Sequence, residues 1–330
     1  MRASFPLTIL LATALAGGCT SLPEARTTRA QAPDANGKDK DHKKDVDDKG
    51  AKDEKDKDES KPEKPPRTLF EWAIGPKSKD EDEGEEDQSI VTDRPDFTES
   101  ASTVGLGRVQ LEAGYTFTRD HFGGATTTQH TYPEALLRIG MFADWFEFRV
   151  VESCTNSRTT AFGQTTDRAN GCDDLELGCK LFLVKQKECL PELGLILSAT
   201  VPSGARTLTS DHVLPTVNFV YGWDIIPNLL DAGGEFLAAG AVDADRHSYV
   251  EFAQSFTVGY KLTPQLSAFT EWYALYPHGA TAPDVTAQQY FDGGFTYKIT
   301  PDFQVDIRVG FGLNKHSDDF FTGAGFAVRY

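Results

Sequence analysis

The chain has 330 residues and a formal net charge of −17. This acidic surplus argues against a nucleic-acid partner, because binding phosphate groups requires a basic face. Beyond the N-terminus, no apolar run approaches the roughly 18 residues that a membrane helix needs. Any membrane-spanning part of this sequence is therefore expected to be a β-barrel.

Residues 1–18 have the features of an export signal. Arg2 supplies the positive charge, an apolar core follows, and small residues precede Cys19. The sequence Leu-Ala-Gly-Gly-Cys that ends at Cys19 resembles a bacterial lipobox, which would make Cys19 the lipidated N-terminus of the mature protein. The alternative is ordinary cleavage nearby, with Cys19 incidental. In both cases the protein is expected to leave the cytoplasm.

Residues 19–90 are predicted to form a disordered linker rich in Lys, Asp and Glu. The stretch 37–66 contains almost nothing apolar, so it cannot bury enough surface to offset its ordering entropy. It is expected to be a flexible tether, or a contact with a charged envelope polymer. Segment 68–76 is an apolar island. It could lie at the membrane interface, dock at the periplasmic mouth of a barrel, bind a partner, or be incidental.

Residues 91–330 are predicted to form an all-β, antiparallel transmembrane barrel. From Val109 to Phe117, every second residue is apolar and the residues between are polar or glycine. This two-residue alternation indicates a strand with one apolar and one polar face. The pattern recurs to give about twelve strands, an even number, as outer-membrane barrels require.

The connections between these strands alternate in length. Long loops are expected at 119–131, 153–172, 203–214, 243–248, 276–285 and 314–319, with short turns between them. A soluble sandwich has no reason to sort its connections in this way, whereas a membrane barrel keeps short turns and both chain ends on the periplasmic side. The last strand ends at Tyr330. This aromatic ending resembles the sorting signal that the barrel-assembly machinery recognises.

The polar rows are expected to face the lumen and to carry charges of both signs. Neighbouring strands bring such side chains to about 5 Å, so they can pair. Two interpretations stay open: the pairs fill the lumen, or they line a pore. The candidates are Arg108, Glu112, Glu134, Arg138, Glu147, Arg149, Glu176, Lys180, Glu271, Asp292, Asp306 and Arg308, with Asp174 and Lys298 as further members.

Cysteine spacing predicts one disulfide bond. Cys154 and Cys172 flank a predicted long loop at adjacent strand ends, so a bond between them is expected. Cys179 and Cys189 are given no pairing. No CxxC occurs, and no metal or cofactor is predicted. No nucleophile, His and orienting group can be placed at one depth on the wall, so no catalytic residues are assigned.

Motifs near the first strands resemble a known family. They are Thr-Asp-Arg-Pro-Asp-Phe-Thr at 92–98, Gly-Arg-Val-Gln-Leu-Glu-Ala-Gly-Tyr at 107–115, Leu-Arg-Ile-Gly-Met at 137–141 and Phe-Glu-Phe-Arg at 146–149. Residues 90–330 thus resemble the outer-membrane transporters named after the meta-pathway of phenol degradation. The resemblance implies a channel or transporter for small solutes, with hydrophobic or aromatic compounds among the candidates. The alternatives are a structural barrel that tethers the envelope and an embedded outer-membrane enzyme.

Overall fold

The computed structural model describes residues 66–74, 89–283 and 285–330. The predicted signal peptide, the lipidation of Cys19 and most of the predicted linker lie outside these residues. Within them, no helix has the length and apolar character needed to cross a membrane.

Thirteen strands and one short helix are present in the described part of the chain. The helix is α1 (Leu69–Ile74). The strands are β1 (Val109–Phe122), β2 (Ala125–Gly140), β3 (Phe146–Ala161), β4 (Gln164–Cys172), β5 (Leu175–Val184), β6 (Glu192–Val201), β7 (Pro215–Ile226), β8 (Leu230–Val242), β9 (Ser248–Lys261), β10 (Leu266–His278), β11 (Gln288–Thr300), β12 (Phe303–Gly312) and β13 (Phe320–Arg329).

Twelve of these strands close into an antiparallel ring. Strand β1 pairs with both β2 and β13, and β5 to β13 pair in chain order. The first half of β3 pairs with β5, whereas its second half pairs with β4, which projects from one rim as an extension. The predicted all-β barrel of about twelve strands is therefore confirmed. We call its two rims the short-turn end and the long-loop end.

Two of the predicted long loops are wrong. Stretch 119–131 is the tip of the β1–β2 hairpin, which turns at two glycines with positive φ, Gly123 and Gly124. Stretch 153–172 is the β3–β4 hairpin, with a disulfide bond between Cys154 and Cys172 at its base. These hairpins are rich in Thr on both faces, as is expected of strands that extend beyond the apolar band of a membrane barrel. They therefore show no apolar alternation from which a strand could be predicted.

The barrel is apolar outside and charged inside. Leu111, Phe295 and Ile307 point outward and are 37%, 48% and 57% exposed, whereas Glu112 and Asp306, on alternate positions, point inward and are 0% and 4% exposed. A soluble protein would bury the first set and expose the second. This inversion is the pattern of a barrel surrounded by lipid.

Replacing Ile307 with Arg is expected to lower the free energy of unfolding in lipid vesicles by about 2–4 kcal/mol, since an arginine in mid-membrane must leave water. The measurement is a urea titration of the refolded barrel. The matched control is Ile299→Arg, next to a short turn, where the expected cost falls to about 0–1 kcal/mol. Equal losses at the two positions would contradict the assignment of this face to lipid.

Helix α1 lies against the short-turn end. A capping box begins it: the Glu71 carboxylate accepts the Thr68 backbone N–H, and the Glu71 N–H donates to the Thr68 hydroxyl, both at 3.1 Å. The ring of Trp72 packs against Trp145 in the β2–β3 turn, with centroids 5.6 Å apart. Among the roles considered for segment 68–76, the observed contact corresponds to docking at a barrel mouth.

The alternation predicted that Asp174 lines the lumen, but the structure places it elsewhere. It precedes β5 at the long-loop end, and its carboxylate accepts hydrogen bonds from the backbone N–H groups of Gly204 and Ser210, each at 2.9 Å. Partial burial favours the neutral acid. Hydrogen bonds from Thr209, Gly204 and Ser210 outweigh that effect and hold the pKa of Asp174 at about 2.

This lowered pKa predicts an acid-labile loop. Because the folded pKa lies below the unfolded value of about 3.9, the stabilisation is complete above that value and is lost as the pH falls towards the folded pKa. The amide proton of Gly204 should therefore shift between about pH 4 and pH 2 in NMR spectra. Asp174→Asn, which cannot titrate, is the control. An unmoved Gly204 amide in the wild type would contradict the role of Asp174.

Candidate functional site

The lumen contains a stretch of the chain itself. Residues 89–106, here called the internal segment, precede β1 and have neither helical nor strand structure. The N–H of Ile90 donates to the carbonyl of Pro301 at 2.7 Å, and the N–H of Leu106 donates to the Asp144 carboxylate at 2.9 Å. Because both acceptors lie in short turns, the segment enters the lumen from the short-turn end and returns to it.

Wall glutamates on four strands hold the backbone of the internal segment. An irregular segment inside a barrel cannot pair its amides with a neighbouring strand, so side chains must accept them. Each glutamate accepts one or two N–H groups at 2.6 to 3.2 Å: Glu112 from Asp93 and Arg94, Glu147 from Val104, Glu235 from Glu99, and Glu271 from Phe97 and Thr98.

Three wall bases converge on one carboxylate of the internal segment. Asp93 is 7% exposed, and its Oδ2 lies 2.6 Å from Arg149, 2.7 Å from Lys180 and 3.4 Å from Arg138. A buried carboxylate needs such partners, because its desolvation is otherwise uncompensated. The wall bases therefore serve to anchor the segment.

Most of the predicted lumen charges contact the internal segment. Besides the groups above, Arg94 pairs with two wall acids, and the guanidinium of Arg308 donates to the carbonyl of Pro95 at 2.8 Å. The candidates that touch the segment are Glu112, Glu134, Arg138, Glu147, Arg149, Lys180, Glu271, Asp306 and Arg308.

The other candidates lie elsewhere. Arg108 precedes β1 and borders a cavity of 860 Å³ at the short-turn end. Glu176 is half-buried on β5, and Lys298 is half-buried near the end of β11. Asp292 is buried on β11, opposite Glu271.

A second wall, formed by β10 and β11, carries two adjacent rungs of side chains. Glu271 and Asp292 are directly opposed and form what we call the acid rung. Tyr273 and Tyr290, two positions along on the same face, form the tyrosine rung, with rings stacked 4.8 Å apart at 19°. Phe97 of the internal segment stacks on Tyr273 at 4.5 Å and 4°.

Acids outnumber bases around the internal segment. Ten carboxyl groups face five bases; the acids are Asp93, Asp96, Glu99, Glu112, Glu134, Glu147, Glu235, Glu271, Asp292 and Asp306, and the bases are Arg94, Arg138, Arg149, Lys180 and Arg308. Of these ten acids, four form no ion pair within the described part of the chain: Asp96, Glu235, Glu271 and Asp292. The acids that no base compensates therefore cluster around the acid rung.

Sequence reasoning missed the role of the internal segment and of Glu235. The motif at 92–98 was noted for its resemblance alone, and Glu235 lies in the Gly- and Ala-rich strand β8, whose alternation is weak. The sequence did contain a signal for the internal segment, namely the many charges of both signs that are predicted to face the lumen. Such charges need a polar partner inside the barrel. A charged segment rich in turn-forming residues next to β1 is a candidate for that partner.

Two further clusters at the long-loop end offer no chemistry of their own. Glu152 has its carboxylate within ligand distance of the sulfurs of Cys154 and Cys172, but these form a disulfide bond and supply no thiolate. His247 lies 3.8 Å from Asp243 and is 62% exposed. Asp243 also accepts backbone hydrogen bonds from the β10–β11 loop, so this pair caps two loops.

Twelve antiparallel strands around a polar, filled lumen, with an apolar exterior, define a membrane β-barrel of the outer-membrane type. Residues 92–330 match the model of the family described as the MetA-pathway of phenol degradation, and the chain belongs to that family. This confirms the resemblance seen in the motifs of the first strands.

A solved outer-membrane structure shows the same fold. An outer membrane channel from Pseudomonas putida F1 is 13% identical, covers 70% of this chain and 98% of its own, and has a TM-score of 0.56. The translocator domain of the autotransporter NalP from Neisseria meningitidis is 12% identical over 68% of this chain and 88% of its own, with a TM-score of 0.45. No functionally curated protein matches this sequence. Similarity at this level concerns the fold alone.

Proposed function

We propose that this protein is an outer-membrane channel for small solutes whose lumen is closed by the internal segment. The observation that carries the proposal is the way in which the segment is held. Side chains bind it, while the wall strands pair with one another through their backbones. The segment can therefore leave the lumen without breaking a strand pair. The family and the barrel architecture support the same function.

A reversible cross-link tests this proposal. The hydroxyl oxygens of Thr98 on the segment and Ser255 on β9 are 2.5 Å apart, close to the sulfur–sulfur distance of about 2 Å in a disulfide bond. With both residues replaced by Cys, currents across a planar bilayer should disappear on oxidation and return on reduction. The two single-Cys variants are the controls. Unchanged current in the oxidised double variant would contradict closure by the segment.

We also propose that the long loops face the outside of the cell and that both barrel ends are periplasmic. The support is the sorting of connection lengths, together with a C-terminal strand that ends in an exposed aromatic, Tyr330, which would be presented to the barrel-assembly machinery. Trypsin added to intact cells should cut at exposed Arg206 between β6 and β7 and spare the linker at 37–66. Cleavage of the linker with Arg206 intact would invert this orientation.

A structural barrel that tethers the envelope is the second candidate. The filled lumen favours it, because a purely structural barrel needs no pathway. The two functions differ in what happens when the internal segment is removed: a channel gains a current, and a structural barrel does not. We assign no catalytic role, since the carboxylate of Asp243, the partner of His247, is engaged in accepting hydrogen bonds from the backbone N–H groups of His247 and Thr281.

A further inference from the structure

The acid rung contains a buried carboxyl group without an ion pair. Asp292 is 1% exposed and forms no ion pair with the described residues, and its carboxyl group accepts no hydrogen bond from a backbone N–H or a hydroxyl among them. Its hydrogen-bond neighbour is the other member of the rung, the carboxyl group of Glu271. The base on the adjacent strand, Arg308, uses its two terminal nitrogens elsewhere, donating to the carbonyl of Pro95 at 2.8 Å and to the hydroxyl of Thr116 at 3.0 Å. Two adjacent buried carboxyl groups without a base form a site at which a cation can supply the missing partner.

The neighbouring tyrosine rung already binds an aromatic ring. Phe97 lies parallel to Tyr273, and its backbone N–H donates to Glu271 of the acid rung at 2.6 Å. One residue of the internal segment thus spans both rungs, with a ring on the tyrosine and an N–H donor on the acid. Phe97 marks the position that a bound molecule with a ring and a donor would occupy.

We propose that the acid rung and the tyrosine rung form a binding site for small arylalkylamines, molecules with an aromatic ring and a protonated, cationic amine on an adjacent alkyl carbon. The ring of the solute takes the place of Phe97 on Tyr273, and its ammonium group pairs with Asp292. Aromatic faces and carboxylates both attract an ammonium group, whereas the surplus of acids in the lumen repels an anion of the same shape. The proposal rests on the proposed channel function, because the solute must reach the lumen.

Three probes of similar size separate charge from shape. Benzylamine carries the ammonium group, benzyl alcohol is a neutral analogue, and benzoate is an anion. In calorimetric titrations of the full-length barrel in detergent, benzylamine should bind at least about tenfold more tightly than benzyl alcohol, because a charge-assisted hydrogen bond is lost in the alcohol. Benzoate should not bind.

Two variants test the assigned residues. Asp292→Asn should weaken benzylamine binding at least about tenfold, and it should fold normally, because Asn has the same size and Asp292 forms no ion pair that would be lost. Asp306→Asn is the matched control: Asp306 is equally buried on the next strand but pairs with Arg94, so binding should change by less than about twofold. Phe97→Ala, which vacates the ring position, should strengthen binding about fivefold.

Absent binding, equal affinity for benzylamine and benzyl alcohol, or unchanged affinity in Asp292→Asn would each overturn the amine site. The channel is judged separately, by bilayer current. If the barrel binds the amine but the Thr98/Ser255 double-Cys variant carries no current in either its reduced or its oxidised form, the proposed function is overturned and the binding site is not. If the barrel carries current but does not bind the amine, the binding site is overturned and the channel function is not.

Discussion

Replacement of Arg138 by Met is expected to lower the free energy of unfolding by about 3–5 kcal/mol, because it leaves buried carboxylates without their shared cation. Arg138 is fully buried and lies 2.8 Å from Glu147, 3.1 Å from Glu112 and 3.4 Å from Asp93. Its guanidinium also donates to two carbonyls of the internal segment, those of Val91 and Ser102. One side chain thus joins the wall to the segment. Urea unfolding in lipid vesicles measures the loss.

The matched control for this variant is Arg246→Met. Arg246 also pairs with a carboxylate, that of Asp211 at 2.5 Å, but the two side chains are 59% and 57% exposed. A pair in water contributes about 0–1 kcal/mol, so the control should barely change stability. Loss of Arg138 should also shift any current towards cations, because acids then dominate that wall. Similar stability losses in both variants would contradict the buried network.

Removal of all residues before Gly105 is expected to open the lumen and raise the bilayer current at least about tenfold, since nothing else is seen to fill the space that the segment occupies in the described part of the chain. The current should favour cations. Without Asp93, Asp96, Glu99 and Arg94, the wall groups counted above number seven acids and four bases.

The control for the truncation removes residues 19–65 and keeps the internal segment, so its current should match that of the full chain. Circular dichroism and heat-resistant migration on gels establish that each variant has folded. A folded truncated barrel without current would contradict the channel and favour the structural barrel.

Much of the wall could be predicted from the sequence, because lipid outside and polar groups inside impose a period of two on each strand. Val109, Leu111 and Ile307 follow that period and face outward as expected. The pattern fails where its cause is absent. The tips of the β1–β2 and β3–β4 hairpins extend beyond the lipid, and β8 contains small residues that fit either face.

The contents of the lumen could not be predicted in the same way. The alternation shows that Arg138 and Glu147 point inward, but it does not show what they meet there. The internal segment has no period, because its residues bind several different strands: Asp93 binds Lys180 on β5, whereas Phe97 binds Glu271 on β10. Contacts of this kind depend on tertiary geometry and cannot be predicted from a local sequence pattern.

The internal segment also has a consequence for how the barrel folds. Its contact with Glu112 spans 19 residues and its contact with Lys180 spans 87, whereas its contact with Arg308 spans 213. Short separations cost less chain entropy, so the first strands can gather around the segment before the last ones arrive. Pairing of β13 with β1 then encloses it. The segment is therefore expected to act as a template on which the wall nucleates, and a barrel without it must fold more slowly, since it must close around an empty, self-repelling interior.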